Sequence, residues 1–296
     1  MRSALALTAL GLITALPLSS CACGATSVDE TTPVHASEAP PRSPPPPTAR
    51  EGITIERVAG PPHAQPGDGL ITLVRFDLAR FRLTLITEME NEGAWRTLPE
   101  WAAREHLVAG INAAMFEENG RASGLLVDDG VESAIDDPRF GGVLAFDPID
   151  PSDALFVMIG RDCPTSDAER PDLASLRARY RSLVANYRML DCDGSAIAWV
   201  DESTYSSAAF ARDREGRFVL IHAETEYRMR DLATVLADPA LGLTDIHYVE
   251  GGPKASVWID DGTGAISLVG SRHEDDGTMS DRGPRPIPNV LGVIPR

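Results

Sequence analysis

The chain has 296 residues, 43% of them hydrophobic, and carries a formal net charge of −17 from 44 acidic against 27 basic side chains. That balance excludes a nucleic-acid binder, which needs clustered Lys and Arg to meet phosphates, and equally a polybasic membrane patch. Four cysteines are too few for a disulfide-built scaffold, so the fold must rest on a hydrophobic core, for which the length suffices.

The N-terminus has the parts of an export signal in order. Arg2 supplies a positive charge, and residues 4–16 form an uncharged apolar run too short to span a bilayer as a helix. Leu18-Ser19-Ser20-Cys21 then has the shape of a lipobox, an apolar residue and two small ones before a cysteine whose thiol accepts lipid. Residues 1–20 are therefore expected to be a lipoprotein signal. Cys21 is expected to be the lipid-bearing first residue of an exported protein, held on the bacterial cell envelope at the outer membrane or cell surface. An ordinary cleaved signal, with Cys21 incidental, is the alternative. Residues 21–50 read as a linker rich in Pro, Ser, Thr and Glu, in which Pro44-Pro45-Pro46-Pro47 favours extended polyproline II.

From residue 51 to 296 the pattern is that of one folded domain. Alternation predicts strands over 53–58, 70–76 and 81–86, the last two forming an antiparallel pair across a turn. Thr97-Leu98-Pro99-Glu100 is a capping box opening a short helix through Glu105. Strands are expected at 107–112, 124–127, 143–146 and 154–159, and an amphipathic helix over 173–184. Further strands follow at 196–200, 208–211 and 218–222. Met229, Leu232, Ala233 and Leu236 share one face of a second helix. Strands at 246–249, 256–259 and 289–294 complete the set. Many strands with few helices between them predict an α+β domain built around a large mixed sheet.

Three stretches deliver polar groups from strands into turning segments, the way a rigid sheet presents side chains at its rim. They are Gly110–Phe116 leading on to Ser123–Gly130, Arg217–Glu224, and His247–Ser256. In this order they resemble the phosphodiester glycosidase domain, the family of the lysosomal "uncovering" enzyme and of many exported bacterial proteins. The family's Asn-Gly-Gly-Phe-Phe segment is matched by Asn112–Phe116, and its Gly-Leu-x-x-x-Asp-Gly segment by Gly124–Gly130. His-Ala-Asp-Gly is matched by His222-Ala223-Glu224-Thr225, and the Asp-Gly-Gly-Gly-Ser-Ser turn by Glu250-Gly251-Gly252-Pro253-Lys254-Ala255-Ser256. Arg285–Asn289 resembles the family's closing Arg-x-Val-Pro-Asn. Three departures stand out: the family's strand arginine falls on Ser207, its aspartate is Glu250, one methylene longer, and Pro253 and Lys254 interrupt the glycine turn.

What the resemblance implies is a hydrolase of sugar-1-phosphodiesters whose partner is a glycan or sugar phosphodiester and which uses no cofactor. Glu250, His222 and Asn112 are the catalytic candidates. Glu250 could protonate a leaving oxygen or attack an anomeric carbon, or it could brace the turn by accepting N–H bonds. Asn112 and His222 stand at strand ends, where each is otherwise a capping or core residue. Arg188 and Lys254 are candidates to meet a phosphate, with Gly251, Gly252, Ser256 and Glu224 completing the substrate-binding set. No CxxC or His-rich spacing suggests a metal, and the acidic run at 273–276 reads as solvated loop. Cys163 and Cys192 are free to pair in an oxidising compartment or to remain separate buried thiols. A catalytically inactive lipoprotein that binds envelope glycans is the reading from a different class. A second carboxylate or His close to Glu250 would favour the enzyme.

Overall fold

Strand-forming runs dominate from the start of the domain. The computed structural model describes residues 49–62, 67–163, 172–271 and 283–296. The expected signal, Cys21, nearly all of the linker and the run at 273–276 lie outside these. Described residues belong to a single unit that extends to Arg296.

The first sheet has ten strands: β1 (Ile53–Ala59), β2 (Leu70–Phe76), β5 (Leu126–Asp128), β6 (Val131–Ala134), β7 (Gly142–Pro148), β8 (Phe156–Gly160), β9 (Tyr180–Arg188), β10 (Thr204–Asp213), β11 (Phe218–Arg228) and β12 (Leu243–Gly251). Their order is β1-β2-β11-β10-β12-β9-β5-β6, with β7 joining β9 and carrying β8. The second sheet runs β14-β13-β4-β15-β3, made of β3 (Phe81–Ile86), β4 (Ala109–Asn112), β13 (Ser256–Asp260), β14 (Ala265–Val269) and β15 (Val290–Pro295). With helices α1 (Leu98–Glu105), α2 (Leu173–Arg179) and α3 (Met229–Leu236), this is the expected α+β class in one domain. Among the described residues every pairing between named strands is antiparallel, without the parallel pairs of a mixed sheet.

Alternation explains why two sheets face one another. Val74 and Phe76 of β2, Phe210 of β10 and Leu220 of β11 enter the same core as Leu83 and Leu85 of β3, Ile111 of β4, Val257 of β13 and Leu291 of β15. The opposite face of the larger sheet is apolar too. Ile71, Leu73, Ala209, Ile221 and Tyr248 there meet Met229, Leu232, Ala233 and Leu236, the face of α3 legible in the sequence. Trp101 of α1 packs outside the smaller sheet and donates its indole N–H to Ile287 O at 3.0 Å.

Three local expectations are revised, and two strands are added. β2 and β3 do not pair: the turn between them carries the chain from one sheet to the other, and β3 pairs with β15 instead. Both strands then send their apolar residues into the shared core from opposite layers. The helix expected over 173–184 stops at Arg179, and Tyr180 opens β9. Leu183, Val184 and Ala185 are fully buried and pair with β7, with β5 taking the other edge, so sheet pairing overrides helical spacing. Residues 196–200 form no strand, only a single bridge from Ala196 to Leu190. The short edge strands β6 and β14 were not expected at all.

Candidate active site

β12 is central to the larger sheet, between β10 and β9, and its last residues form the site. Its register with β10 slips by one residue: Ala208 faces Glu250, Ala209 faces Tyr248, and Val249 has no partner. Bulges of this kind re-aim a strand's side chains beside active sites. Val249 enters the core between the sheets. Tyr248 and Glu250 instead line a cavity of about 310 Å³ on the side covered by α3. That volume is at the low end of small-molecule sites, about 300–1,000 Å³.

Five other segments supply the remaining walls. Tyr187 comes from β9, Trp199, Asp201 and Ser203 from the connection to β10, Tyr205 from β10 and Met229 from the start of α3, with Met115 beneath. Trp199 makes edge contacts with Tyr187 at 5.6 Å between ring centroids and with Tyr248 at 5.9 Å. Such rings offer broad apolar faces with polar tips, the surface a sugar ring stacks on. A Cβ added to Gly251 would lie 2.3 Å from the Tyr248 hydroxyl, so any side chain there would displace that ring.

Burial pushes the Glu250 carboxyl up to about 7, against the opposing effects of the Gly251 N–H, which donates to it at 3.0 Å, and of the nearby Lys254 charge. The group is thus substantially protonated at neutral pH. Asp201 is exposed and held below its ordinary value, first by the Ser203 backbone N–H at 2.9 Å, then by the Ser203 hydroxyl and the Tyr205 hydroxyl, the latter at 3.2 Å. Two carboxyl groups with opposed environments share one cavity, the arrangement by which glycoside-cleaving sites separate acid from base. Among the described residues lining this cavity none is Lys, Arg or His.

Comparison with known proteins decides the family. Residues 105–294, more than half of the chain, match the phosphodiester glycosidase family. The chain belongs to the phosphodiester glycosidase family. The catalytic domain of zebrafish N-acetylglucosamine-1-phosphodiester alpha-N-acetylglucosaminidase, auto-inhibited by its pro-peptide, has the same fold with a TM-score of 0.57 at 14% identity, over 84% of this chain and 88% of that one. A hypothetical protein from Synechocystis is similar at a TM-score of 0.55 and 13% identity, over 86% of this chain and 64% of that one. Among curated protein sequences no relative matches.

In this phosphodiester glycosidase domain the sequence-named residues fall into three groups. Glu250 and Gly251 line the cavity, with Lys254 just outside, its amine 4.4 Å over the Phe116 ring. Asn112, His222 and Ser256 are buried beneath the turn that follows Glu250. Asn112 Oδ1 accepts the Ser256 N–H at 3.1 Å, and His222 Nε2 lies 3.4 Å from Ala255 O. The three catalytic candidates therefore converge on one segment, but only Glu250 opens into the cavity. Gly252 sits above them at φ 61, a left-handed turn that glycine adopts without strain, and begins a short 3-10 turn through Pro253 and Lys254. Proline fits there because the first residues of such a turn have no internal acceptor for their N–H.

The third group lies elsewhere. Arg188 points to a second cavity, of about 390 Å³, on the far side of β9 from Tyr187. There it donates through Nε and Nη2 to Leu190 O at 3.1 and 2.9 Å, pairs with Asp162, and contacts the sulfurs of Cys163 and Cys192, which are joined in a disulfide. Its guanidinium is committed to a loop rather than offered to a phosphate. Glu224 sits where β11 and β10 lose register, its carbonyl accepting from the Ser206 hydroxyl. Ser207, where the family's strand arginine falls, is buried opposite Gly251. Sequence reasoning missed Tyr187, Trp199, Asp201, Tyr205 and Tyr248. The one available signal was the aromatic and acidic run Trp199–Tyr205, which has no strand or helix period.

Proposed function

We propose that the protein hydrolyses a glycosyl-1-phosphodiester in the cavity closed by Glu250, and that it does so outside the cytoplasm, tethered through Cys21. One observation carries the chemistry: a half-buried carboxyl, pushed by its burial toward the neutral form, in an aromatic cavity of a phosphodiester glycosidase domain. A diester carries a negative charge, which an ionised carboxylate would repel. The protonated group instead donates to the oxygen between the sugar and phosphorus as that bond breaks. The sugar occupies the aromatic cavity and leaves the phosphate at its mouth, where Lys254 is the nearby cation. Export and lipidation rest on the order of Arg2, the apolar run and the lipobox.

A second reading, binding of envelope glycans without turnover, is favoured by one observation: Asn112 and His222 are buried under the turn and add no reactive group to the cavity. The full-length protein in detergent, incubated with p-nitrophenyl diesters of hexose- and N-acetylhexosamine-1-phosphates, separates the two by release of reducing sugar. Hydrolysis is expected, with Glu250→Gln slowing it by about 10²–10⁴-fold. Binding of these diesters without release of sugar would replace the hydrolase by the glycan-binding reading.

A further inference from the structure

The cavity holds one more group whose chemistry the Glu250 assignment leaves unused. Asp201 is the other carboxylate among its lining residues, and it reaches the cavity from a segment outside any strand or helix. Its position is nevertheless well fixed. Oδ1 accepts the Ser203 N–H at 2.9 Å and Oδ2 accepts the Tyr205 hydroxyl at 3.2 Å. A carboxylate has about four acceptor positions, so each oxygen keeps capacity for a water. The connection to β10 that carries Asp201 is itself tied down at its root: Arg188 grips Leu190 O, the disulfide holds Cys192, and the Ile197 N–H donates to Met189 O at 2.9 Å.

Solvent access divides the labour between the two carboxyls. Glu250 lies on the drier side, half-buried at the end of β12, whereas Asp201 is exposed on the wet side. Tyr248 lines the same cavity, and its phenol is pushed up by burial first, then by Glu250, with Tyr205 and Asp201 adding to the effect. Trp199, two residues before Asp201, meets Tyr248 edge to face and so makes the wall against which a sugar ring would rest.

We propose that Asp201 is the general base of this site, taking a proton from the water that attacks C1 of a sugar stacked on Trp199 and Tyr248; the inference rests on the hydrolase reading above. In that step the water oxygen forms the new bond to C1 and the C1–O bond to phosphate breaks. The bonding pair leaves with the phosphomonoester, and the Glu250 proton goes to its departing oxygen. Glu250 ends as a carboxylate and Asp201 as a carboxylic acid. One proton passes through solvent from Asp201 to Glu250 to restore the starting state, so no oxidant or other reactant is required.

The test compares Asp201→Asn, Asp201→Ala and Glu250→Gln in the full-length protein on the same diester panel, each with its melting temperature and pH profile. Asp201→Asn is expected to lower kcat by about 10²–10⁴-fold with KM within a few-fold of wild type. The acidic limb of kcat, which a required base produces, should vanish in that variant, and added formate should restore part of the rate to Asp201→Ala. Asp201→Asn turning over within about threefold of wild type, while Glu250→Gln is inactive, would overturn the base and leave the hydrolase reading intact. A slow Asp201→Asn that keeps the wild-type pH profile, with no formate rescue of Asp201→Ala, would reduce Asp201 to a loop anchor and overturn it as well. No sugar released by the wild-type protein would remove both readings together.

Discussion

The side-chain oxygen of Asn112 accepts the backbone N–H of Ser256 at 3.1 Å, joining β4 of the smaller sheet to the segment that follows Glu250. Both residues are buried, and His222 touches the neighbouring Ala255 carbonyl from the larger sheet. The turn that carries the proposed acid is thus held from both layers.

Asn112→Ala leaves that N–H buried without a partner, at a cost of about 1–3 kcal/mol. The expected outcome is a lower melting temperature together with slower sugar release, because the Gly251–Ser256 turn loses its lower support. A variant that melts like wild type would show that the contact contributes nothing to the turn.

Stability against pH follows from four shifted groups. Burial lowers His222 to about 4 and His247 to about 3 from an ordinary 6.5, and raises Glu250 from 4.5 to about 7 and Asp128 from 3.8 to about 6. Between pH 4.5 and 6, unfolding lets both histidines bind a proton and makes both carboxyls release one, so the two effects oppose and nearly cancel. Stability should therefore stay almost level across that window, where the histidines alone would make it rise with pH by about two protons' worth. Denaturant titrations at about pH 4.5, 6 and 8 check it; a steep rise from about pH 4.5 to 6 would contradict the carboxyl shifts.

Glu250→Gln isolates that carboxyl. A rise from 4.5 to about 7 penalises the ionised form in the folded state by about 3 kcal/mol. The penalty is complete above the folded value and absent below the unfolded one. Gln keeps an acceptor for the Gly251 N–H, so the variant should be more stable than wild type at pH 8 and equal to it at pH 4. Lower stability at both would mean that the carboxylate braces the turn.

The connection that carries Trp199 and Asp201 depends on the Cys163–Cys192 bond, which spans 29 residues of sequence. Closing a loop of that size stabilises a fold by about 3–4 kcal/mol in the chain-entropy account. Dithiothreitol, or Cys163→Ser with Cys192→Ser, should lower the melting temperature and raise KM for the diesters. Unchanged KM after complete reduction would show that Arg188, through Leu190 O, suffices to hold the loop.

Cys21→Ser tests the tether. The variant should move from the membrane fraction to the soluble one, because a single lipidated residue is the proposed anchor. Extraction that still requires detergent would assign the attachment to another part of the chain.

Much of the framework was legible in the residues alone. Alternation located β2 and β3 to the residue, the capping box located α1, and the apolar face of α3 named the side chains that cover the larger sheet. These patterns are local: each reports which side of an element meets the core, whatever that core is. Glu250 was also legible, since an acid at a strand end before two glycines is a local feature. Partner choice was not. β2 and β3 separate into two sheets, and Tyr180–Arg188 becomes strand, because burial against distant segments outweighs the spacing within either stretch. The same holds for the cavity. Tyr187, Trp199, Asp201, Tyr205 and Tyr248 come from three strands and a connection, and no period along the chain links them. Arg188 illustrates the limit most simply. Its charge marked it as a ligand for phosphate, yet alternation along β9 turns it to the opposite face from Tyr187, where a carbonyl, a carboxylate and a disulfide already occupy it.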